Sequence, residues 1–111
     1  MKFGIFSVSI PDYTPEEALK KVAESGYDGI EWRVCEDPGD REHPSFWSGN
    51  RTSMTAGDIL DRAEGLKSAA SLARLEMPTL AAYICCFDGE QLIEQHFKAA
   101  AALGAKAIRI G

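Results

Sequence analysis

Apolar positions follow two rhythms along this chain. Short runs rich in β-branched and aromatic residues alternate with longer stretches in which apolar residues recur every three or four positions. Lys2 to Ile10, rich in Phe, Ile and Val, predicts a first strand. Thr14-Pro15-Glu16-Glu17 then predicts a helix start. Thr14 can cap, Pro15 suits the first helical position, and Glu17 completes a capping box. Leu19, Val22 and Ala23 give that helix its apolar stripe, and Gly26 stands where a left-handed C-terminal cap belongs. Asp28 to Val34 predicts a second strand, and Cys35 to Ser53, with Pro38, Gly39, Pro44 and Gly49, a long loop without periodicity. A second helix is predicted from about Ala56 to Leu75, with Thr55 and Asp58 as its start signal. Its residues Ile59, Ala63, Leu66, Ala70 and Ala73 lie on one face. Thr79 to Cys86 predicts a third strand. Asp88-Gly89-Glu90-Gln91 predicts the start of a third helix, with Ile93, Phe97, Ala100 and Leu103 as its buried face and Gly104 as its end. Ala107 to Ile110 predicts a fourth strand.

The expected fold class is therefore α/β, a parallel βαβαβαβ unit, because strands joined through helices run parallel with right-handed crossovers. An open doubly wound sheet and part of a closed (β/α)₈ barrel both satisfy that order. Strand polarity favours the barrel. In the second strand Ile30, Trp32 and Val34 fall on one face and Gly29, Glu31 and Arg33 on the other. The fourth strand repeats this, with Ile108 and Ile110 against Ala107, Arg109 and Gly111. Strands buried on both faces of an open sheet are apolar throughout, whereas a barrel interior carries polar residues near the strand ends. Alternate barrel strands share side-chain layers, which places Glu31 and Arg109 together as a charge pair. The open-sheet alternative lacks support. The turn after the first strand, Pro11-Asp12-Tyr13-Thr14, has no glycine, and no GxGxxG or phosphate-loop pattern occurs.

Composition then narrows the function. The chain has 111 residues, 12 Lys and Arg against 17 Asp and Glu, and a formal net charge of −5. That balance disfavours neutralisation of nucleic-acid phosphates or adhesion to an anionic membrane. No window approaches a membrane span and the N-terminus lacks a signal-peptide pattern, so the expected location is the cytoplasm. Cys35, Cys85 and Cys86 make neither a disulfide framework nor zinc spacing, and read as reduced thiols, the last two as small residues packed in a strand. Asn50-Arg51-Thr52 reads as a chance glycosylation sequon. A complete barrel needs roughly 250 residues. The order ends on a fourth strand with no helix to cover it, so the expectation is one partial barrel domain over residues 1–111, with strands one to four, helices one to three and no C-terminal half.

The stretch KFGIFSVSIPDYTPEEALKKVAESGYDGIEWRV, residues 2–34, resembles the opening of the sugar phosphate isomerase/epimerase family, the xylose isomerase-like TIM barrels. Residues 14–33 are its more specific part, and AAALGAKAIRIG, residues 100–111, resembles the passage from third helix to fourth strand in the same family. The resemblance is collinear over essentially the whole chain. It implies the N-terminal half of an enzyme that interconverts aldoses and ketoses, or epimerises ketoses, on a small sugar or sugar phosphate. It also implies a divalent metal, Mn, Mg, Zn or Co, at the C-terminal mouth of the full-length protein. The family's metal ligands and catalytic glutamates come from later strands, so no catalytic residue and no metal ligand carries over, and the chain alone is expected to be inactive. A DNA endonuclease barrel of the same superfamily and a non-enzymatic, self-associating half-barrel are the alternatives. Open sheet edges make self-association a further expectation.

Four residues are candidates for substrate contact. Glu31, facing inward at the end of the second strand, meets either substrate or an ion-pair partner, Arg33 or Arg109. Arg33 either binds an anionic substrate group in two-pronged fashion or serves such a pair. Trp47, with Phe46, forms either a sugar-stacking wall or an anchor for its own loop. Tyr83 points into the mouth from the third strand. Trp32 is expected to pack against the helices, His43 to lie on the surface, and His96 to be structural.

Overall fold

The computed structural model describes all 111 residues. Its elements run β1 (Gly4–Phe6), α1 (Pro15–Glu24), β2 (Gly29–Val34), α2 (Ala56–Leu72), β3 (Thr79–Ala82), α3 (Glu90–Leu103) and β4 (Ala107–Ile110). The four strands form one parallel sheet in the order β1-β2-β3-β4. The architecture is therefore the α/β class expected from the pattern. No helix is long and apolar enough to cross a membrane.

Local chemistry explains the helices. Thr14 Oγ1 accepts from the Glu17 amide while the Glu17 carboxylate accepts from the Thr14 amide, and Thr55 and Asp58 repeat the exchange at α2. Gly26, at φ 84°, turns the chain out of α1, and the Tyr27 amide reaches back to the Val22 carbonyl. The helices then bury one face each against a single side of the sheet. Leu19, Val22, Ile59, Leu66, Ala99 and Leu103 join Ile30, Trp32, Val34 and Leu80 in one core. Trp32 is fully buried there, and its indole Nε1 donates to Met77 Sδ at 3.1 Å. The register sets Ile5 beside Ile30 and Leu80 between Trp32 and Ile108, so the apolar members of all four strands share the helix-covered face. Phe6, Glu31, Arg33, Thr79, Ala81 and Arg109 share the other face, which no helix covers.

Several elements differ from the sequence expectation. The first strand stops at Phe6 and Ser7–Ser9 form a single 3₁₀ turn. Ser7 is the cause. Its buried hydroxyl accepts from the Arg33 amide at 2.8 Å, and its carbonyl accepts from the Ile10 amide, curling the chain under β2. The third strand stops at Ala82, because Asp88 Oδ2 takes the Cys85 amide at 2.7 Å and closes a turn. Cys85 and Cys86 are consequently exposed in that turn rather than packed in a strand. With Asp88 so engaged, α3 starts after Gly89 without a side-chain cap. Its buried face is His96, Ala99, Ala100 and Leu103, while Phe97 is 49% exposed and Ile93 only half-buried. The small alanines let α3 approach α2 and the sheet, and Phe97 falls on the flank that has no neighbouring helix. The second helix ends at Leu72, where Arg74 adopts φ 58° and the Leu75 amide closes onto the Ala70 carbonyl at 2.9 Å.

Candidate functional site

The uncovered face and the loop after β2 hold the polar chemistry of the molecule. At its centre Arg33, near the C-terminal end of β2, is 6% exposed. Burying a guanidinium is costly unless partners compensate it, and the loop supplies them. Nη1 lies 3.1 Å from Ser53 Oγ, 3.4 Å from Asp37 Oδ2 and 3.4 Å from the Phe46 carbonyl, and Nη2 donates to the Trp47 carbonyl at 3.4 Å. The rings of Trp47 and Tyr83 stand over the same guanidinium, with centroids 5.5 and 5.1 Å from Cζ, within cation–π range. Nε is buried without a partner.

Asp37 organises the loop. Its Oδ1 accepts from the amides of Gly39 at 3.1 Å and Gly49 at 2.8 Å, and its Oδ2 accepts from the Asn50 amide at 3.0 Å. Burial alone would raise the Asp37 carboxyl, but these three amides and the Arg33 charge outweigh it and hold it below its ordinary value. The two glycines are required by space. A Cβ on Gly39 would stand 2.2 Å from Ser48 Oγ, and one on Gly49, already at φ 66°, 2.0 Å from the Asp40 carbonyl. Asn50, fully buried, closes the far side. Its Nδ2 donates to the carbonyls of Val8 at 3.1 Å and Phe46 at 3.0 Å, and its Oδ1 accepts from the Thr52 amide at 3.0 Å. Thr52 Oγ1 lies 3.0 Å from the Ser7 carbonyl, tying the loop to the 3₁₀ turn. A side chain so enclosed offers no surface for a glycan, in keeping with the sequon as a chance match.

Glu31 stands in the middle of β2 rather than at its end. Its Oε1 accepts from Arg109 Nη2 at 2.9 Å and its Oε2 from Thr79 Oγ1 at 2.7 Å. The charge pair expected across alternate strands is thus formed, with Arg109 also 5.0 Å from the Phe6 ring. Of the four candidates, the fold brings Arg33, Trp47 and Tyr83 into one cluster at the C-terminal edge and sets Glu31 deeper on the same face. Phe46 contributes its carbonyl, while its ring is 52% exposed. His43 lies on the surface against Asp40 at 2.7 Å. Cys35, half-buried beside the cluster, has its thiol pushed up by burial despite the nearby Arg33 charge. The sequence reading missed Asp37, Asn50, Thr52, Ser53 and Ser7. Asp37-Pro38-Gly39 is a turn signal, and Asn50 and Thr52 stood out only as a chance sequon.

These residues do not fit a divalent metal. The Asp37 carboxylate already accepts four hydrogen bonds, Glu31 is engaged by Arg109 and Thr79, and no group of three His, Cys, Asp or Glu side chains is placed to hold a cation. What the face offers is three aromatic rings, Phe6, Trp47 and Tyr83, and a row of internally neutralised charges. Comparison of the chain with protein-family models and with curated proteins finds no match to either.

Proposed function

We propose that this chain forms strands one to four of a (β/α)₈ barrel of the sugar isomerase/epimerase kind, and that Glu31, Arg33, Trp47 and Tyr83 line the substrate side of its mouth. The observation that carries the proposal is the direction of winding. The parallel strands follow one another in sequence order, and the helices pack on one face only. A doubly wound sheet reverses its order at a switch point and carries helices on both faces. A sheet wound in one direction curls around its uncovered face, which becomes a barrel interior. That face here is polar and carries an ion pair, as a barrel interior tolerates and an exposed apolar face would not. The resemblance of residues 2–34 and 100–111 to the sugar phosphate isomerase/epimerase family supports the same reading.

In this proposal Trp47 and Tyr83 stack on the C–H faces of a sugar or sugar phosphate. Arg33 holds both rings and the loop in place, and Glu31 with Arg109 fixes the floor. The divalent metal, which would polarise the sugar carbonyl, and the proton-transferring carboxylates belong to the complementary half, so the chain by itself is inactive. Cytoplasmic location and the absence of a nucleic-acid or membrane partner follow from the same proposal, in line with the net charge of −5. The test is to assay this chain, alone and joined to any coding sequence that follows Gly111, against a panel of aldoses, ketoses and their phosphates, with Mn, Mg, Zn and Co, and with DNA as a control. Metal-dependent sugar turnover that falls roughly tenfold in Trp47→Ala, the worth of one aromatic contact, supports the proposal. Nuclease activity without sugar turnover, or an extended structure with helices on both sheet faces, defeats it.

A further inference from the structure

A cavity of about 180 Å³ opens between the ends of β2 and β3 and the N-terminal turns of α2 and α3. Tyr83 is its border with the Arg33 cluster, and its walls are shared between the strand ends, with Cys35, Glu36 and Ile84, and the two helices. His96 lines it and is 6% exposed. The His96 Nδ1 lies 2.8 Å from the Leu92 carbonyl, which can only accept. Nδ1 therefore carries the ring proton, and in the neutral ring Nε2 presents a lone pair. No protein group bonds Nε2, and every fully buried side-chain polar atom except Arg33 Nε has a partner, so Nε2 keeps some exposure on a residue that lines the cavity. Two residues with free backbone donors line the same cavity. The amides of Ala56 and Gly57 are the first of α2, precede any intrahelical acceptor, and have no partner elsewhere, since Thr55 Oγ1 serves Asp58.

Free donors and a free acceptor in one small cavity select the ligand. A hydroxyl group accepts from an amide and donates to an imidazole nitrogen at once. An oxyanion satisfies the amides but leaves the Nε2 lone pair facing negative charge. It also meets the carboxylate of Glu36 on the cavity wall. The volume equals that of about six waters at roughly 30 Å³ each, room for a polyol of three or four carbons. We propose that this cavity is a binding site for a short neutral polyol, with hydroxyls held between His96 Nε2 and the Ala56 and Gly57 amides. The site stands whether or not the sheet belongs to a barrel, so it is independent of the proposed isomerase function.

The test titrates the chain with erythritol, and in parallel with inorganic phosphate, while following backbone amides and the histidine ring by NMR. Erythritol is expected to give saturable shifts at Ala56, Gly57 and His96, with none from phosphate at equal concentration. His96→Leu is expected to weaken erythritol about tenfold, as loss of one buried hydrogen bond does. Should His96→Leu fail to fold, Gly57→Ala carries the test. Its added methyl meets only Gln95 Nε2 at 3.6 Å and Thr55 Oγ1 at 3.7 Å, ordinary contacts, yet it narrows the cavity beside the amides. Saturable shifts from phosphate, no saturable shift from erythritol, or erythritol binding unchanged in Gly57→Ala would overturn the proposal.

Discussion

Arg109 on β4 reaches across β3 to place Nη2 2.9 Å from Glu31 Oε1 on β2. The strand between makes this possible. Ala81 lies between Arg33 and Arg109 in the register, and its methyl leaves room for the long side chain to pass. Thr79, from the same strand, donates to the other carboxylate oxygen. One carboxylate thus joins three strands on the face that no helix covers.

The pair is half open to water, with side-chain exposures of 57% for Arg109 and 24% for Glu31, so its coupling is expected to be about 0.5–1 kcal/mol. A double-mutant cycle with Glu31→Gln and Arg109→Met, read by denaturant unfolding, measures it. Coupling indistinguishable from zero would mean that the two side chains are not held together in solution.

Asp37 carries a sharper expectation. Its side chain is 2% exposed and its two oxygens serve three amides and Arg33. Asp37→Asn turns an amide group toward those amides and leaves Arg33 without its counter-charge. The expected loss is about 2–4 kcal/mol. Because the folded carboxyl sits below its ordinary value of 3.8, its contribution is complete above that pH and is lost as pH falls through the lower folded value. Wild-type stability should therefore drop more steeply than that of Asp37→Asn below about pH 4. Parallel acid profiles for the two proteins would contradict this account.

Much of this fold is written in local signals. Both capping boxes, the left-handed glycines at 26 and 104, and the division of β2 into apolar and polar faces are short-range patterns, and the structure repeats them. What failed were the places where distant groups compete for a backbone. Lys2 to Ile10 reads as one strand because nothing nearby announces that Ser7 will be claimed by Arg33 and Thr52. Phe97 reads as core because periodicity gives a helix a stripe but not the identity of its neighbour. Tertiary packing rotated the buried face to His96 and Ala99. At the candidate site, Arg33 near the end of β2, Trp47 in the loop and Tyr83 just past β3 were legible as candidates. Their support was not, since Asp37 and Asn50 act through a loop of irregular backbone, where no period exists to be read.

The three thiols should separate by reactivity. Cys85 and Cys86 are exposed in the turn after β3, whereas Cys35 is half-buried and burial raises its pKa. Reaction with a thiol reagent at pH 8 is expected to consume two thiols quickly and the third at least about tenfold more slowly, since the thiolate is the reacting form. Cys35→Ser should remove the slow phase alone. Three equal rates would show that the end of β2 opens freely to solvent.

The sheet edges set the last expectation. β1 pairs only with β2 and β4 only with β3, so each end strand presents one row of unpaired backbone groups. Beside the β4 edge, Ile110 is 48% and Phe97 49% exposed. An unpaired parallel strand with apolar neighbours is a template for another chain. The 111-residue chain is therefore expected to associate as its concentration rises, with a melting midpoint that depends on protein concentration. Ile110→Lys places a charge on that edge and should shift sedimentation toward monomer while leaving far-ultraviolet circular dichroism unchanged, because Ile110 lies outside the buried core. A chain that sediments as a monomer at every concentration and melts cooperatively at a fixed temperature would show that these edges are not sticky in solution.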